Sequence, residues 1–263
     1  MTQELVSIIT PTYNCSDFIS QTIKSIQTQT YKNWELLITD DCSTDNTIEI
    51  IENYIQQDPR IRLFRLKSNS GAGVARNNSI KEAKGRYIAF CDGDDRWHPW
   101  KLEHQIEFMN KKKCALSYGC YDTCNENGTI NGFVKCLPKI NYLKIIQDNG
   151  IGCLTAIYDT QIIGKHFMPT IRKRQDWCLW IEIIKEAKIA YGMHESLGIY
   201  RVRSGSISSN KIAMLKYNFK VYNSFLGFNK VSSTLILLCY FMPHYLWKKY
   251  RQRHFNINHI NNQ

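Results

Sequence analysis

The chain has 263 residues, 43% of them hydrophobic, and a formal net charge of +11 at pH 7, which is enough apolar chain for one large folded domain with an appendage. Residues 196–263 hold ten Lys or Arg and no acid, whereas residues 1–195 set 24 bases against 23 acids. The excess therefore sits in one segment rich in Leu, Ile, Phe, Tyr and Trp, not spread over a groove face, and a nucleic-acid binder is excluded on that distribution.

Ten cysteines are present and none makes a Cys-x-x-Cys pair. In a chain that is not a small secreted scaffold they read as reduced, mostly buried thiols of a cytosolic protein. Met1-Thr2-Gln3-Glu4 lacks the basic and apolar regions of a signal peptide.

Leu5–Thr10 is a nearly continuous apolar run of the kind buried on both faces of a parallel sheet, broken by Pro11-Thr12-Tyr13-Asn14. A helix follows, with Ser16 or Asp17 as cap and Phe18, Ile19, Ile23 and Ile26 on one face. Trp34–Thr39 is a second strand, ending in Asp40-Asp41-Cys42-Ser43-Thr44-Asp45. The alternation repeats with a helix through Ile48, Ile51 and Ile55, a strand over Ile61–Leu66, a helix over Gly71–Lys84 and a strand over Tyr87–Cys91. This pattern predicts an α/β fold with a mostly parallel, Rossmann-like sheet, right-handed crossovers and flanking helices. In such sheets ligands bind beyond the carboxyl ends of the strands. Residues 10–13, 40–41, 69–73 and 92–95 should then meet on one rim.

Past Asp95 the pattern is mixed. A helix is expected from about Pro99 to Lys113, a strand over Cys114–Tyr121, a turn at Asn125-Glu126-Asn127-Gly128 and a hairpin partner over Phe133–Leu137. Cys153–Tyr158 reads as a strand and Gln175–Ala187 as a helix with Trp177, Trp180, Ile181 and Ile184 on its apolar face. Short strands follow near Ala190–Met193 and Leu197–Arg201.

Asp92-Gly93-Asp94-Asp95 directly follows an apolar strand. Three carboxylates within four positions repel one another unless a cation or donors sit among them, and Mg2+ or Mn2+ is held by one or two carboxylates plus the oxygens of a diphosphate. The same tetrapeptide is also ordinary turn chemistry, and Asp94 or Asp95 could cap the next helix. Tyr13 and the main chain of Pro11 stand where a flat base could lie, and Asp41 can accept from a base N–H. Gly71-Ala72-Gly73 opens a helix that would favour a phosphate, with the fixed charge of Arg76 one turn in; a surface ion pair is the alternative for Arg76. Asp176 reads as either a helix N-cap or a general base.

These stretches, Val6–Asn14, Ile38–Asp45, Asn69–Asn77, Asp92–Asp95 and Gln175-Asp176-Trp177 with Leu179-Trp180, resemble the inverting, metal-dependent nucleotide-sugar glycosyltransferases of the family 2 type with the GT-A fold. The likeness is to the bacterial branch that builds O-antigen and capsule repeats, and it covers roughly residues 5–205. The resemblance implies that Pro11, Tyr13 and Asp41 hold the nucleoside, usually uridine, with Arg76 near the donor. It makes Asp92 and Asp94 the metal and ribose aspartates, puts Asp95 on the donor sugar, and assigns Asp176 as the base that deprotonates the acceptor hydroxyl. The family's arginine-and-histidine loop reads here Tyr200-Arg201-Val202-Arg203-Ser204-Gly205-Ser206-Ile207-Ser208. Arg203 stands where a histidine is frequent, so Arg201 and Arg203 are expected to clamp the diphosphate instead. The implied cofactor is Mn2+ or Mg2+. The implied reaction moves a hexose from a UDP-sugar, with UDP-glucose preferred, to a polyprenyl-diphosphate-linked sugar in β-linkage. The alternative of a different class is a non-catalytic nucleotide-sugar or carbohydrate-binding protein of the same fold.

Residues 1–208 are expected to form the transferase domain, with 1–95 the nucleotide-binding half and 96–208 the acceptor side, and 209–263 a basic amphipathic helical tail. From Lys211 on, Ile212, Leu215, Phe219, Tyr222 and Leu226 recur at helical spacing. Val231–Trp247 gives 17 uncharged residues, diluted by Ser232, Ser233, Thr234, Pro243 and His244, where a span needs ~20 mostly apolar ones. Lys248, Lys249, Arg251 and Arg253 follow. The tail is therefore read as a peripheral contact with the inner face of the cytoplasmic membrane, against the alternative of a helical cap on the enzyme's own core.

Overall fold

The computed structural model describes residues 3–203 and 211–250. Strand β1 (Val6–Thr12) is followed by α1 (Ile19–Gln27), β2 (Trp34–Asp40), α2 (Thr47–Ile55), β3 (Ile61–Arg65), α3 (Ala72–Glu82) and β4 (Tyr87–Phe90). β1 pairs in parallel with β2 and with β4, and β2 with β3. The expected alternation thus yields the expected parallel sheet.

The chain then continues through β5 (Arg96–Trp97), α4 (Lys101–Lys112), β6 (Leu116–Cys124), β7 (Ile130–Val134), β8 (Lys139–Asn141) and α5 (Tyr142–Gln147). Next come β9 (Ile157–Asp159), α6 (Thr160–Ile163), α7 (Gln175–Ala187) and β10 (Ile189–Arg201). The main strand order is β3-β2-β1-β4-β9-β6-β10-β5, with β7 on β6 and β8 on β10. β9 runs antiparallel to both β4 and β6, and one sheet therefore passes through both halves of residues 3–203.

Several local expectations need correction. Pro11 does not end the first strand, which runs on to Thr12 with Pro11 opposite Thr39. Pairing with β4 stops at Ile9, so beyond it β1 has one neighbour and a missing N–H is tolerated. Cys153–Thr155 is a 3-10 turn and the strand begins only at Ile157. The hairpin partner of β6 starts at Ile130, earlier than expected. The two short strands near the end are one strand, β10, whose register shifts twice against β6.

Residues alternate between the two sheet faces. Val6, Ile8, Leu36, Ile38 and Ala89 pack with α1 and α4, while Ile9, Leu37, Ile88 and Phe90 belong to a second cluster with α3 and α7. α7 is buried nearly all round: Cys178, Leu179 and Ile183 are as inaccessible as Trp177, Trp180, Ile181 and Ile184. A helix apolar on every side needs a second cover, and the C-terminal helices supply it. They comprise α8 (Lys211–Lys220), a π-helical turn (Val221–Phe225), α9 (Lys230–Leu235), a second π-helical turn (Ile236–Phe241) and a helix over residues 242–250. Tyr222 and Phe241 are buried against Trp177, with ring centroids 5.8 and 6.2 Å away. Among the described residues no helix is long and apolar enough to cross a membrane. Residues 204–208 of the arginine loop, the expected boundary at 208–209, and Arg251 and Arg253 lie outside the described residues.

Candidate active site

The ends of β1, β2 and β4 meet the start of α3 at one rim. Asp41, immediately after β2, is nearly buried, and its two carboxylate oxygens accept from the backbone N–H groups of Ser70 (2.6 Å) and Gly71 (2.8 Å). Gly71 has a φ of 94°, a conformation costly for a residue with a Cβ. Asp41, expected on the nucleobase, thus first fixes the loop that starts α3. Tyr13 is 48% exposed with its ring open to the cavity, and Pro11 lines the same wall.

Arg76, on the second turn of α3, is only 7% exposed. Its Nη2 donates to both oxygens of Asp92, at 2.6 and 2.7 Å. Burial works against its charge, but Asp92, Cys153 and Asp176 together outweigh it and hold the pKa above the ordinary arginine value. Asp94 is partly open, with Arg203 Nη1 at 3.3 Å. Burial and the Asp92 charge push its carboxyl above the usual range, and Arg203 pulls it back.

Asp95, expected on the donor sugar, is 2% exposed and accepts from the Arg201 backbone N–H at 2.9 Å. Burial, then Asp94 and Asp92, raise its pKa well above the ordinary value. It ties the acidic turn to the end of β10 and offers the cavity little carboxylate surface. Arg201 is equally enclosed. Its guanidinium donates to Glu126 O (2.7 Å), Asp94 O (3.1 Å) and Gln21 Oε1 (2.9 Å), and lies over the Phe18 ring. Of the two arginines expected at a diphosphate, Arg203, which also lies over Phe18, keeps a partly open side chain.

Across the cavity, Asp176 sits in the first turn of α7, where a carboxylate is favoured by the helix dipole. Its Oδ2 accepts from Asn149 Nδ2 at 2.8 Å. The starts of α3 and α7 touch: a Cβ on Gly73 would lie 2.9 Å from Gln175 Cγ. Arg76 and Cys153 feel the charges of both Asp92 and Asp176. Residue 176 therefore faces the same interior as the acidic turn. A cavity of about 1560 Å³ joins them, lined by Pro11, Tyr13, Asp41, Arg76, Asp92–Asp95, Asp176, Arg201 and Arg203. It continues past Lys144 and Asp148 to His244, Trp247 and Lys248 of the C-terminal helices.

Among the described residues no group of three or more His, Cys, Asp or Glu is arranged to hold a metal ion. The acidic turn fits a looser mode. Burial, reinforced by the neighbouring carboxylates, raises the carboxyl pKa of Asp94 and Asp95, and a divalent cation beside them would favour the anionic forms. Asp92 is held by Arg76 at 2.6 and 2.7 Å and Asp94 more loosely by Arg203 at 3.3 Å, so Asp94 would be the carboxylate more readily shared with a cation.

Asn149 was not anticipated as a site residue, nor was the Gly73–Gln175 contact. Asn149 lies in a loop with no periodicity, and its role depends on a partner 27 positions away, so no local signal marks it.

Residues 7–166 match the profile of the family described as Glycosyl transferase family 2. The chain is 40% identical to the UDP-Glc:alpha-D-GlcNAc-diphosphoundecaprenol beta-1,3-glucosyltransferase WfgD of Escherichia coli, over 91% of this chain and 93% of that one. It is 41% identical to WfaP of the same organism, which carries the same activity name, over 81% and 83% of the two chains. Among solved structures, Staphylococcus aureus TarS residues 1–349 with UDP-GlcNAc superposes with a TM-score of 0.70 at 21% identity, covering 89% of this chain and 70% of that one. A Pyrobaculum calidifontis mannosyltransferase with GDP-Man and Mn2+ gives 0.65 at 14% identity, covering 90% and 71%. These likenesses identify the GT-A fold.

Proposed function

The chain belongs to glycosyl transferase family 2, and from that premise we propose that it moves a hexose from a UDP-sugar, with UDP-glucose the favoured donor, to a lipid-diphosphate-linked sugar. The product is a β-linkage in the repeat unit of an O-antigen or capsule. That it is a glycosyltransferase follows from the family and its relatives; donor, acceptor and residue roles are the proposal. The names of WfgD and WfaP state UDP-Glc and a GlcNAc-diphosphoundecaprenol acceptor for those two enzymes. The observation that carries the reading is one cavity with Asp92, Asp94, Arg76 and Arg203 on one wall and Asp176, held by Asn149, on another.

In this reading Tyr13 and Pro11 bound the nucleoside, Asp41 orders the loop beside it, and Arg76 and Arg203 hold the phosphate side of the donor. Asp94, with Asp92, would hold Mn2+ or Mg2+, which when bound offsets the charge on the departing diphosphate. Asp176 accepts the proton of the acceptor hydroxyl as its oxygen bonds to the anomeric carbon from the face opposite the nucleotide. The bond from that carbon to the phosphate oxygen breaks, and its electron pair leaves with UDP. One displacement inverts the configuration.

The tail supports a peripheral place at the inner face of the cytoplasmic membrane. While Phe241 and Tyr222 face the enzyme, Val231, Leu235, Leu238 and Leu246 point outward, each more than half exposed. Nearby bases add roughly 1 kcal/mol each on anionic lipid. Cap and lipid contact are thus two faces of the same helices.

The test is a screen of UDP-sugars with a synthetic N-acetylglucosaminyl-diphosphate-lipid acceptor, with and without divalent ions. Transfer from UDP-glucose that stops in EDTA and gives a β-linked product is expected. Turnover of other nucleotide sugars only, or an α-linked product, overturns it.

A further inference from the structure

Asp176 reaches the cavity from α7, but the group that orients its carboxylate comes from the loop after α5. Asn149 Nδ2 donates to Asp176 Oδ2 at 2.8 Å, and Asn149 Oδ1 accepts from Ile151 N at 3.3 Å. The amide is therefore fixed at both ends. Residues 145–149 are in turn gripped from outside. Trp177 Nε1 donates to Ile145 O at 2.6 Å, and Tyr222 Oη to Ile146 O at 2.9 Å. Lys248 Nζ donates to Asp148 Oδ2 at 2.6 Å and to Asn149 O at 3.3 Å. The Asp148 side chain is 10% exposed against 46% for Lys248, so a largely enclosed carboxylate is held by one cation from the helix over residues 242–250.

We propose that Lys248 is a positioning residue for Asp176, acting through Asp148 and Asn149, so that the C-terminal helix is part of the catalytic assembly. The chain of contacts runs Lys248, Asp148–Asn149, Asp176, and each step is a hydrogen bond given above. Its chemical sense is directional. A base must present its free oxygen along the line of the acceptor hydroxyl, and a displacement of about 1 Å can cost up to ~100-fold in rate. Asn149 occupies one oxygen of Asp176 and leaves the other for the acceptor. Lys248, bonded to both the side chain of residue 148 and the carbonyl of residue 149, sets where that amide stands. This inference rests on Asp176 being the base.

The experiment uses the full chain, with kcat, acceptor and donor KM, donor affinity by calorimetry and thermal midpoint measured for each variant. Lys248→Met and Asp148→Asn should lower kcat about tenfold or more while leaving donor affinity near that of the parent. Lys248→Met should also lower the midpoint, because it leaves the enclosed Asp148 carboxylate uncompensated, and Asp148→Asn should lower it less, because the lysine left behind is more exposed. Lys248→Arg should retain most of kcat, because the guanidinium can still reach Asp148 and the carbonyl. Asn149→Ala should lower kcat further, and adding Lys248→Met to it should cost little more, since both act through one link. A packing role predicts instead that the two losses multiply, or that donor affinity falls in parallel. Either result overturns the proposal, as does an unchanged kcat in Lys248→Met. Asp176→Asn separates the two readings. If it retains turnover, the base assignment fails and carries this inference with it; if it abolishes turnover while Lys248→Met is as active as the parent, only the inference fails.

Discussion

One nitrogen of Arg76, Nη2, bridges both carboxylate oxygens of Asp92 at 2.6 and 2.7 Å. It places a buried cation at the foot of a turn that carries two further carboxylates. Truncating one partner of a buried pair leaves the other uncompensated. Arg76→Met should therefore destabilise the protein by roughly 3 kcal/mol, the low end for such pairs, because the Asp92 side chain is still 31% exposed. Urea unfolding checks the loss. Donor affinity should fall with it, and Arg76→Lys should recover part of the stability, since one ammonium nitrogen can bridge the two oxygens as Nη2 does.

Asp176→Asn keeps the hydrogen-bonding shape of the side chain and removes its basicity. Loss of a general base typically costs ~10²- to 10⁴-fold in rate. The expected result is a kcat reduced by that order with donor affinity by calorimetry close to the parent value. A parallel loss of affinity would assign Asp176 to donor binding.

The contact between Gly73 and Gln175 predicts a effect transmitted between helices. A Cβ at residue 73 would meet the Gln175 side chain at 2.9–3.1 Å, and the larger valine must push the start of α7 aside. Gly73→Val should lower kcat about tenfold or more by moving Asp176, with less effect on donor KM. Steady-state kinetics with varied donor and acceptor separate the two.

Lys101, at the start of α4, is fully enclosed; its Nζ has no hydrogen-bond partner and lies 3.8 Å from the Trp97 ring centroid. Burial pulls its pKa down to about 7. Below that pH the folded protein holds a charged amine out of water and the cost is complete. Above it, up to the ordinary lysine value near ~10.4, the unfolded chain binds more protons than the folded one, so stability rises with pH. Lys101→Met should stabilise the fold by roughly 3–5 kcal/mol at pH 6 and by less than about 1 kcal/mol at pH 10. Unfolding curves at the two pH values check the sign.

The outward residues of the tail should govern lipid contact without touching the chemistry. Leu235→Asp with Leu238→Asp should lower co-sedimentation with anionic vesicles, while turnover of a water-soluble acceptor analogue stays at the parent level. Equal sedimentation of variant and parent would place the lipid contact elsewhere.

The parallel half of the sheet was legible because strand-length apolar runs alternate with amphipathic helices up to Asp92. The rim was legible for the same reason: parallel strands end on one side, so Asp41 and the Asp92–Asp95 turn had to be neighbours. Partnerships were not. Nothing local couples Arg76 to Asp92, or Asn149 to Asp176, and the enclosure of Asp95 and Arg201 follows from packing between the acidic turn and the end of β10. The apolar stripe of α7 was read as one face because its second cover comes from Tyr222 and Phe241, residues whose own pattern fits a lipid surface equally well. Pro11 misled for a plainer reason: a strand tolerates proline where one neighbour has already departed.

The grip on the loop at Asp148 comes from a residue 100 positions further along the chain. A ribosome adding ~5–20 residues per second releases Lys248 about 5–20 s after Asp148. The nucleotide-facing strands emerge well before either. Nascent protein would therefore complete its nucleotide-facing strands first and the grip on the Asp148 loop last. A polypeptide terminated between Arg203 and Lys248 would carry every residue assigned to the donor, yet neither that grip nor the full cover over α7.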